Sequence, residues 1–238
     1  MEIAPKHRPF IIAIDGPAGS GKTTTAKALA KELGFIYVDT GAMYRAVALF
    51  AQRRGVSMAD RDAICTLLDD VDIRLERTDG SQHTMLNGED VEQHIRTQEM
   101  SKAASDISAI PCVREAMVDL QRHAAKDAMG AVLEGRDIGT VVFPDSPCKI
   151  YLVADTPTRA ERRKKQLEEK GIAADLETIR REIEERDRND AAREHSPLRK
   201  ADDAIEVETT NTSIDEQVSM ILSLVWKRID QFQKGQSI

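Results

Sequence analysis

A chain of 238 residues, 41% of them hydrophobic, can build a real core, which excludes a fully disordered protein and fits one large domain or one domain with an insertion. Its 41 acidic residues against 34 lysines and arginines leave a net charge of −7, so the surface as a whole does not suit a nucleic acid, although local arginine clusters can still bind small phosphates. Cys65, Cys112 and Cys148 are far apart, odd in number and without a C-x-x-C pairing, and the five histidines are equally scattered; this predicts a reduced cytosolic chain without a zinc site.

Residues 1 to 9 carry Pro5, Pro9, Lys6, His7 and Arg8 without periodicity and read as a loose arm. Only five apolar residues, Phe10 to Ile14, precede Asp15, too short a run for a signal peptide or a membrane span, so a soluble cytoplasmic protein is expected. Those five residues form a strand-like run. It leads into Gly16-Pro17-Ala18-Gly19-Ser20-Gly21-Lys22-Thr23, which fits the phosphate-binding pattern G-x-x-x-x-G-K-[ST] at every fixed position. A helical run from Thr24 to Leu33 follows, with Ala26, Leu29, Ala30 and Leu33 on one face and Gly34 as its stop. Glycines let the backbone curl so that successive N–H groups point at an anion, and the helix adds the positive end of its dipole. Lys22 reaches the outer phosphates of a triphosphate, and the Thr23 hydroxyl is placed to coordinate Mg²⁺.

Phe35 to Asp39 is a short buried strand, Thr40 reads as the N-cap of a helix from about Gly41 to Arg54, and Gly55 ends that helix. From about Thr66 to Arg96 the helical period gives way to alternation at Val71, Ile73 and Leu75, with Asp79-Gly80 and Asn87-Gly88 as turns, which predicts a small antiparallel sheet inserted into a βα pattern. Ile95 to Ile110 is weakly helical and carries Ser101, Ser105 and Ser108. Pro111 opens a clearer helix with Val113, Ala116, Met117, Leu120 and Ala124 as its apolar stripe and Arg114 beside it. Ala131 to Leu133, Cys148 to Val153 and Ala204 to Val207 complete about five strands. Alternation of these strands with helices predicts an α/β fold with a parallel sheet flanked by helices, in which ligands bind at the carboxyl ends of the strands. The phosphate loop, Asp39-Thr40 and the turn Glu134 to Asp137 all lie at such ends.

Thr156-Pro157 reads as a cap with proline at the first helical position, opening a helix so charged that it should stand out from the body. Further on, Ile179, Ile183, Arg186, Asp190 and Arg193 share a face within an arc of about 60°. By itself that pattern fits a salt-bridge ladder on a solvated helix. In a chain that also holds a phosphate loop, the same face reads as a second anion site. The final helix has a capping box at Ser213 and Glu216 and an apolar stripe of Val218, Ile221, Leu222, Val225, Ile229 and Phe232, with Trp226 read as packing. Asp15 and Asp39 are both candidates to hold a Mg²⁺-bound water; Asp39 is preferred, the other reading of each being a cap or turn carboxylate.

Taken together, I-D-G-P-A-G-S-G-K-T at Ile14 to Thr23, D-T-G-A-M-Y-R at Asp39 to Arg45, I-R-T-Q-E at Ile95 to Glu99, V-R-E-A at Val113 to Ala116, G-R-D-I-G-T-V-V-F-P-D at Gly135 to Asp145 and E-R-D-x-x-D-x-x-R at Glu185 to Arg193 resemble the bacterial cytidylate kinases. These belong to the nucleoside monophosphate kinase branch of P-loop proteins, and the inserted subdomain is a trait of that family. The resemblance implies phosphoryl transfer from ATP, with Mg²⁺, to CMP and dCMP. It implies a core of residues 10–40 and 131–238 with a short helical lid near 156–173, and a monophosphate-binding region at about 41–130 that includes the insertion near 66–96. Gly16, Pro17, Ala18, Gly19, Ser20, Gly21, Lys22, Thr23 and Thr24 match the ATP loop, and Arg159, Arg162 and Arg163 fall in the lid. Arg45, Arg136 and Arg186, with Thr40 near them, match ligands of the acceptor phosphate. Ser105, Arg114, Asp137 and Arg193 match the positions that read cytosine, and Asp190 the one that contacts the sugar. Lys22, Arg136, Arg186 and Arg193 are the expected catalytic cations, Thr23 and Asp39 the expected metal residues.

A kinase for UMP or another small acceptor such as shikimate shares the phosphate loop. A nucleotide switch acting through partners would need a guanine-reading N-K-x-D segment, which the chain lacks. A monomer without nucleic-acid or membrane partners is expected.

Overall fold

The computed structural model describes residues 8–78 and 81–235. In chain order these form β1 (Phe10–Asp15), α1 (Lys22–Leu33), β2 (Ile36–Asp39), α2 (Thr40–Arg53), α3 (Arg61–Leu67), β3 (Ile73–Thr78), β4 (Ser81–Leu86), β5 (Glu89–Asp90), α4 (Gln98–Ile107) and α5 (Pro111–Ala125). Then follow β6 (Gly130–Gly135), β7 (Cys148–Val153), α6 (Thr156–Glu168), α7 (Leu176–Ala191), β8 (Ile205–Glu208) and α8 (Ile214–Gln233). The chain divides into two compact units, one of Met1–Tyr37 with Ala128–Ile238 and one of Val38–Asp127, so that it crosses between them within β2 and again ahead of β6.

The main sheet has five parallel strands in the order β2-β6-β1-β7-β8. β1 lies at its centre, paired with β6 from Phe10 opposite Gly130 to Asp15 opposite Gly135 and with β7 from Ile12 opposite Cys148 to Asp15 opposite Tyr151. All six residues of β1 are buried, as a strand covered on both faces requires. On one face Phe10, Ile12 and Ile14 pack with Val132, Ile150 and Leu152 against Ala26 and Leu29 of α1 and Ile221, Val225 and Ile229 of α8. This packing positions the phosphate loop, which connects β1 to α1. Gly16, at φ 149°, is where the chain turns out of the sheet, and a Cβ there would lie 2.2 Å from the Leu152 carbonyl oxygen, so only glycine fits.

The charged helix α6 does not stand out as its composition predicts. Ala160 and Leu167 pack with Ile179 and Ile183 of α7 into a small apolar cluster of their own. A helix too polar to bury a whole face finds one partner for the little apolar surface it has. Its cap is Asp155, which accepts from the Thr158 amide at 2.8 Å, and not Thr156, which is already helical. The capping box of α8 forms as expected, but Trp226 is 53% exposed and adds nothing to the core.

In the second unit β3, β4 and β5 form an antiparallel sheet, the expected insertion. Asn87 and Gly88, at φ 49° and 83°, make the tight turn into β5. The Asp79-Gly80 turn lies outside the described residues, as do residues 1–7 of the expected arm. Asp39, not Thr40, caps α2, by accepting from the Ala42 amide at 2.9 Å. In α5 the buried face runs through Val113, Arg114, Met117, Val118, Gln121 and Ala125, which takes in Arg114 and leaves Ala116, Leu120 and Ala124 half-buried. The short α3 has no counterpart in the sequence reading, since seven residues hold too little of a helical period to stand out.

The cysteine reading also changes. Cys65 of α3 and Cys112 of α5 are 47 residues apart and form a disulfide, with their Cα atoms 5.8 Å from each other. Packing of two helices brings them together, and no local spacing signals it. Cys148 stays a free thiol in the core, where burial pushes its pKa up to about 12.

Candidate active site

In the unit built on the large sheet, the phosphate loop closes on itself through Lys22. Its Nζ donates to the Pro17 carbonyl at 2.6 Å and lies 3.4 Å from the Ser20 hydroxyl. Lys22 is buried, and its pKa is pushed well below the usual lysine range by burial and then by the Arg136 and Arg186 guanidinium groups, with Glu134 and Asp15 acting the other way. A cation held in that way is stabilised by any anion brought close to it.

The α7 face expected to bind an anion forms a cluster of side chains centred on Asp190. That carboxylate is 1% exposed and receives the Arg136 Nε at 2.8 Å and an Nη of Arg193, with the Arg186 Nε 3.9 Å away. Burial alone would raise the Asp190 pKa, but Arg136, Arg193 and Arg186 together hold it below the usual carboxylate range. α7 ends at Ala191, so Arg193 lies beyond the helix and turns back to Asp190. The solvated-ladder reading therefore fails here. The Arg136 contact comes from the end of β6, and a ladder on one helix would have no such partner.

Asp137 is buried beside Arg136 at the start of the turn 138–142, and its carbonyl accepts the Val141 amide at 2.9 Å. The three arginines of α6 expected in a lid do not share one set of partners. Arg159 is buried against the loop, donating to the Ala18 carbonyl at 2.9 Å, whereas Arg162 is held by the Thr209 hydroxyl and carbonyl, and Arg163 is half-buried on α6.

Glu134, at the carboxyl end of β6, has no role in the sequence reading, yet the structure brings it to the phosphate loop. Its Oε2 accepts the Thr23 hydroxyl at 2.8 Å, and its Oε1 accepts the Tyr37 hydroxyl. One hydroxyl and one carboxylate side by side are hard oxygen donors of the kind Mg²⁺ takes from a protein when phosphates and water complete its shell. The available signal was an acidic residue ending a buried strand, which becomes meaningful only when that strand is known to neighbour β1. Asp15 ends β1 itself, but its two oxygens accept the Ile138 and Gly139 amides at 2.8 Å each, and burial raises its pKa to about 6 despite those bonds. It fastens the turn after Asp137.

In the unit Val38–Asp127, Asp39 is the centre. Besides capping α2 through Oδ1, it receives Arg45 at 3.0 Å and Arg96 at 2.6 Å on Oδ2. Both oxygens of Asp39, the carboxylate expected to support the metal, are engaged by an amide and two guanidinium groups. Arg96, in the I-R-T-Q-E motif, shares the carboxylate with Arg45 and was not singled out by residue type. Thr40 is buried in the first turn of α2.

Ser105 and Arg114 are brought to one turn between α4 and α5. The Ser108 hydroxyl donates to the Ser105 carbonyl at 2.9 Å, and Arg114 donates to the Ser108 carbonyl at 3.2 Å while lying 5.6 Å over the Tyr44 ring.

Burial would raise the Asp39 pKa, but Arg45 and Arg96 bring it down to about 2. A depressed carboxyl pKa stabilises the fold above its unfolded value near 3.8, and the contribution is lost as pH falls toward about 2. Urea unfolding from about pH 5 downward should show the wild type losing about 2 kcal/mol more than Asp39→Asn across this window. Parallel curves for the two proteins would remove the ion-pair assignment.

Comparison with known proteins agrees with this geometry. The chain matches the cytidylate kinase family over residues 12–227. It is 48% identical over 217 residues to the cytidylate kinase of Lactobacillus johnsonii, covering 91% of this chain and 94% of that one. It is 46% identical over 222 residues to the cytidylate kinase of Syntrophotalea carbinolica, with 93% and 94% covered, and 48% identical over 219 residues to that of Listeria welshimeri, with 92% and 97% covered. A phosphate loop on a five-stranded parallel sheet, an arginine cluster on a buried aspartate and near-complete alignment to these relatives agree: the chain belongs to the cytidylate kinase family.

Proposed function

We infer that this protein transfers the γ-phosphoryl group of ATP to CMP and dCMP, giving CDP and dCDP. The observation that carries this reading is the buried Lys22 with Arg136 and Arg186 acting on it, cations gathered at the phosphate loop in a chain aligned over most of its length with cytidylate kinases. A phosphate monoester acceptor is already ionised at neutral pH, so no general base is needed. Catalysis comes from alignment and from cations that stabilise charge on the transferring group.

In this reading Gly16 to Thr24 cradle ATP, and Lys22, Arg136, Arg186 and Arg193 act on the transferring group. Arg45, Arg136 and Arg186, with Thr40, hold the acceptor phosphate. Ser105, Arg114, Asp137 and Arg193 recognise cytosine, and Asp190 meets the sugar. Cytosine presents an amino donor beside ring acceptors, which a carboxylate and a guanidinium complement, and a base that left these groups unpaired would be penalised. Residues 41–130 form the monophosphate-binding region and 156–173 the lid, with Arg159, Arg162 and Arg163 on the ATP side. Mg²⁺ would be held by Thr23 and Glu134 and would supply neutralisation of the phosphate charge.

We place the enzyme in the cytoplasm, where ATP and nucleoside monophosphates are available. Among the described residues no helix is long and apolar enough to cross a membrane. A monomer is proposed: of the exposed large apolar side chains, Met129, Ile172 and Leu176 lie apart from the α8 residues Met220 and Trp226 along the chain.

Coupled detection of ADP with a panel of monophosphates tests the activity. CMP and dCMP should be the preferred acceptors, and absence of turnover with both would sink the reading. Arg186→Ala should lower kcat by about 10²–10³-fold with an unchanged far-UV spectrum; near-normal turnover would remove Arg186 from the site. For the metal, Glu134→Gln should raise the Mg²⁺ concentration needed for half-maximal rate by about tenfold or more, while Asp39→Asn leaves it unchanged. The reverse pattern would return the metal to Asp39.

A further inference from the structure

Asp187 lies in the E-R-D-x-x-D-x-x-R run, yet none of the roles above uses it. On α7 it follows Arg186, and although its charge acts on Arg136, its hydrogen bonds go to the phosphate loop and Arg159 and not to the Asp190 cluster. Its Oδ1 accepts the amide of Ala18, a residue 169 positions earlier in the phosphate loop, at 3.2 Å. Its Oδ2 is paired with Nη1 of Arg159. That same Nη1 donates to the Ala18 carbonyl at 2.9 Å. The amide and the carbonyl of Ala18 are therefore bound by the two members of one ion pair, one supplied by α6 and the other by α7.

The pair is well enclosed. Arg159 is 5% exposed, and the Asp187 side chain is 20% exposed. Nη2 of Arg159 is held by the Thr156 hydroxyl at 3.0 Å, and a Cβ on Gly19 would lie 3.1 Å from the Arg159 Cβ, so the loop backbone rests directly on the arginine. Without a counter-charge a guanidinium buried there would be costly, and it would have no reason to stay at the loop.

We propose that Asp187 is a positioning residue of the donor site, which fixes the Arg159 guanidinium and the Ala18 backbone together so that the loop and its arginine meet ATP already arranged. The proposal rests on the reading of Gly16 to Thr24 as the ATP site. Its physical content is pre-organisation: the orientation of Arg159 is set by a carboxylate within the protein and need not be acquired when the nucleotide binds. The amide bond of Asp187 to Ala18 can be kept by asparagine, whereas the ion pair cannot, so the two contributions separate.

The test is equilibrium binding of ATP without acceptor, together with steady-state kinetics, on wild type, Asp187→Asn, Arg159→Ala and the double variant. Asp187→Asn should raise the Kd and KM for ATP by about tenfold or more while the KM for CMP stays within about twofold. In the Arg159→Ala background the same substitution should raise the ATP Kd no further, since the group it positions is gone. The double variant leaves no unpaired buried charge, so its comparison with Arg159→Ala stands even where Asp187→Asn alone folds poorly. Equal changes in the KM for ATP and CMP, or an undiminished effect of Asp187→Asn without Arg159, would overturn the positioning role. Wild type that binds ATP normally alongside Asp187→Asn that binds it equally well overturns this proposal alone; wild type that binds no ATP overturns the donor-site reading and the proposal with it.

Discussion

Arginines and lysines brought together in a poorly solvated interior repel one another, and the repulsion grows as water is excluded. This chain meets that constraint with buried or half-buried carboxylates placed among its cations. Asp190 holds Arg136 and Arg193 with Arg186 nearby, Asp187 holds Arg159, and Asp39 holds Arg45 and Arg96. Lys22 is the exception. Among the described residues it has only backbone and hydroxyl oxygens within hydrogen-bonding distance, and the net effect of its surroundings is to make its charge harder to keep. A phosphoryl donor needs a cation in that condition, because binding the triphosphate then relieves an existing electrostatic cost as well as adding contacts.

The carboxylates at strand ends divide the work according to what their neighbours offer. Asp15, Asp39 and Glu134 all lie at the carboxyl ends of parallel strands, and by residue type alone they are equivalent. Asp15 faces two amides and fastens a turn, and Asp39 faces an amide and two guanidinium groups and becomes a cap and an ion-pair centre. Glu134 faces two hydroxyls, one of them the Thr23 hydroxyl of the phosphate loop. The Thr23 hydroxyl places Glu134 at the phosphate loop, whereas the Asp39 oxygens are engaged by an amide and two guanidinium groups, which is why the proposed metal role falls to Glu134.

The two helices α6 and α7 show how a nearly all-polar segment becomes part of a fold. Their shared apolar contact is small, and the remaining attachment to the phosphate loop is polar, through Arg159 and Asp187 at Ala18. A two-helix element fixed by hydrogen bonds and one ion pair is cheaper to displace than one fixed by a large apolar interface, which would suit the lid role proposed for it.

The sequence by itself determined the phosphate loop, the parallel α/β sheet, the inserted antiparallel sheet and the α7 face from Ile179 to Asp190. Each of these is a local pattern: glycines at fixed offsets, hydrophobic periods of two or about three and a half, and turn pairs such as Asn87-Gly88. What only the tertiary structure decided depends on contacts between distant residues. The Cys65–Cys112 bond, the capture of Asp39 by Arg96, the approach of Glu134 to Thr23 and the clasp of Asp187 and Arg159 on Ala18 join residues 47, 57, 111 and up to 169 positions apart. A side chain's partners set its chemistry, and partners at such separations leave no mark on local periodicity. The residue types that can bind phosphate were therefore visible in the chain, but which carboxylate answers which cation was settled only by the packing of strands and helices.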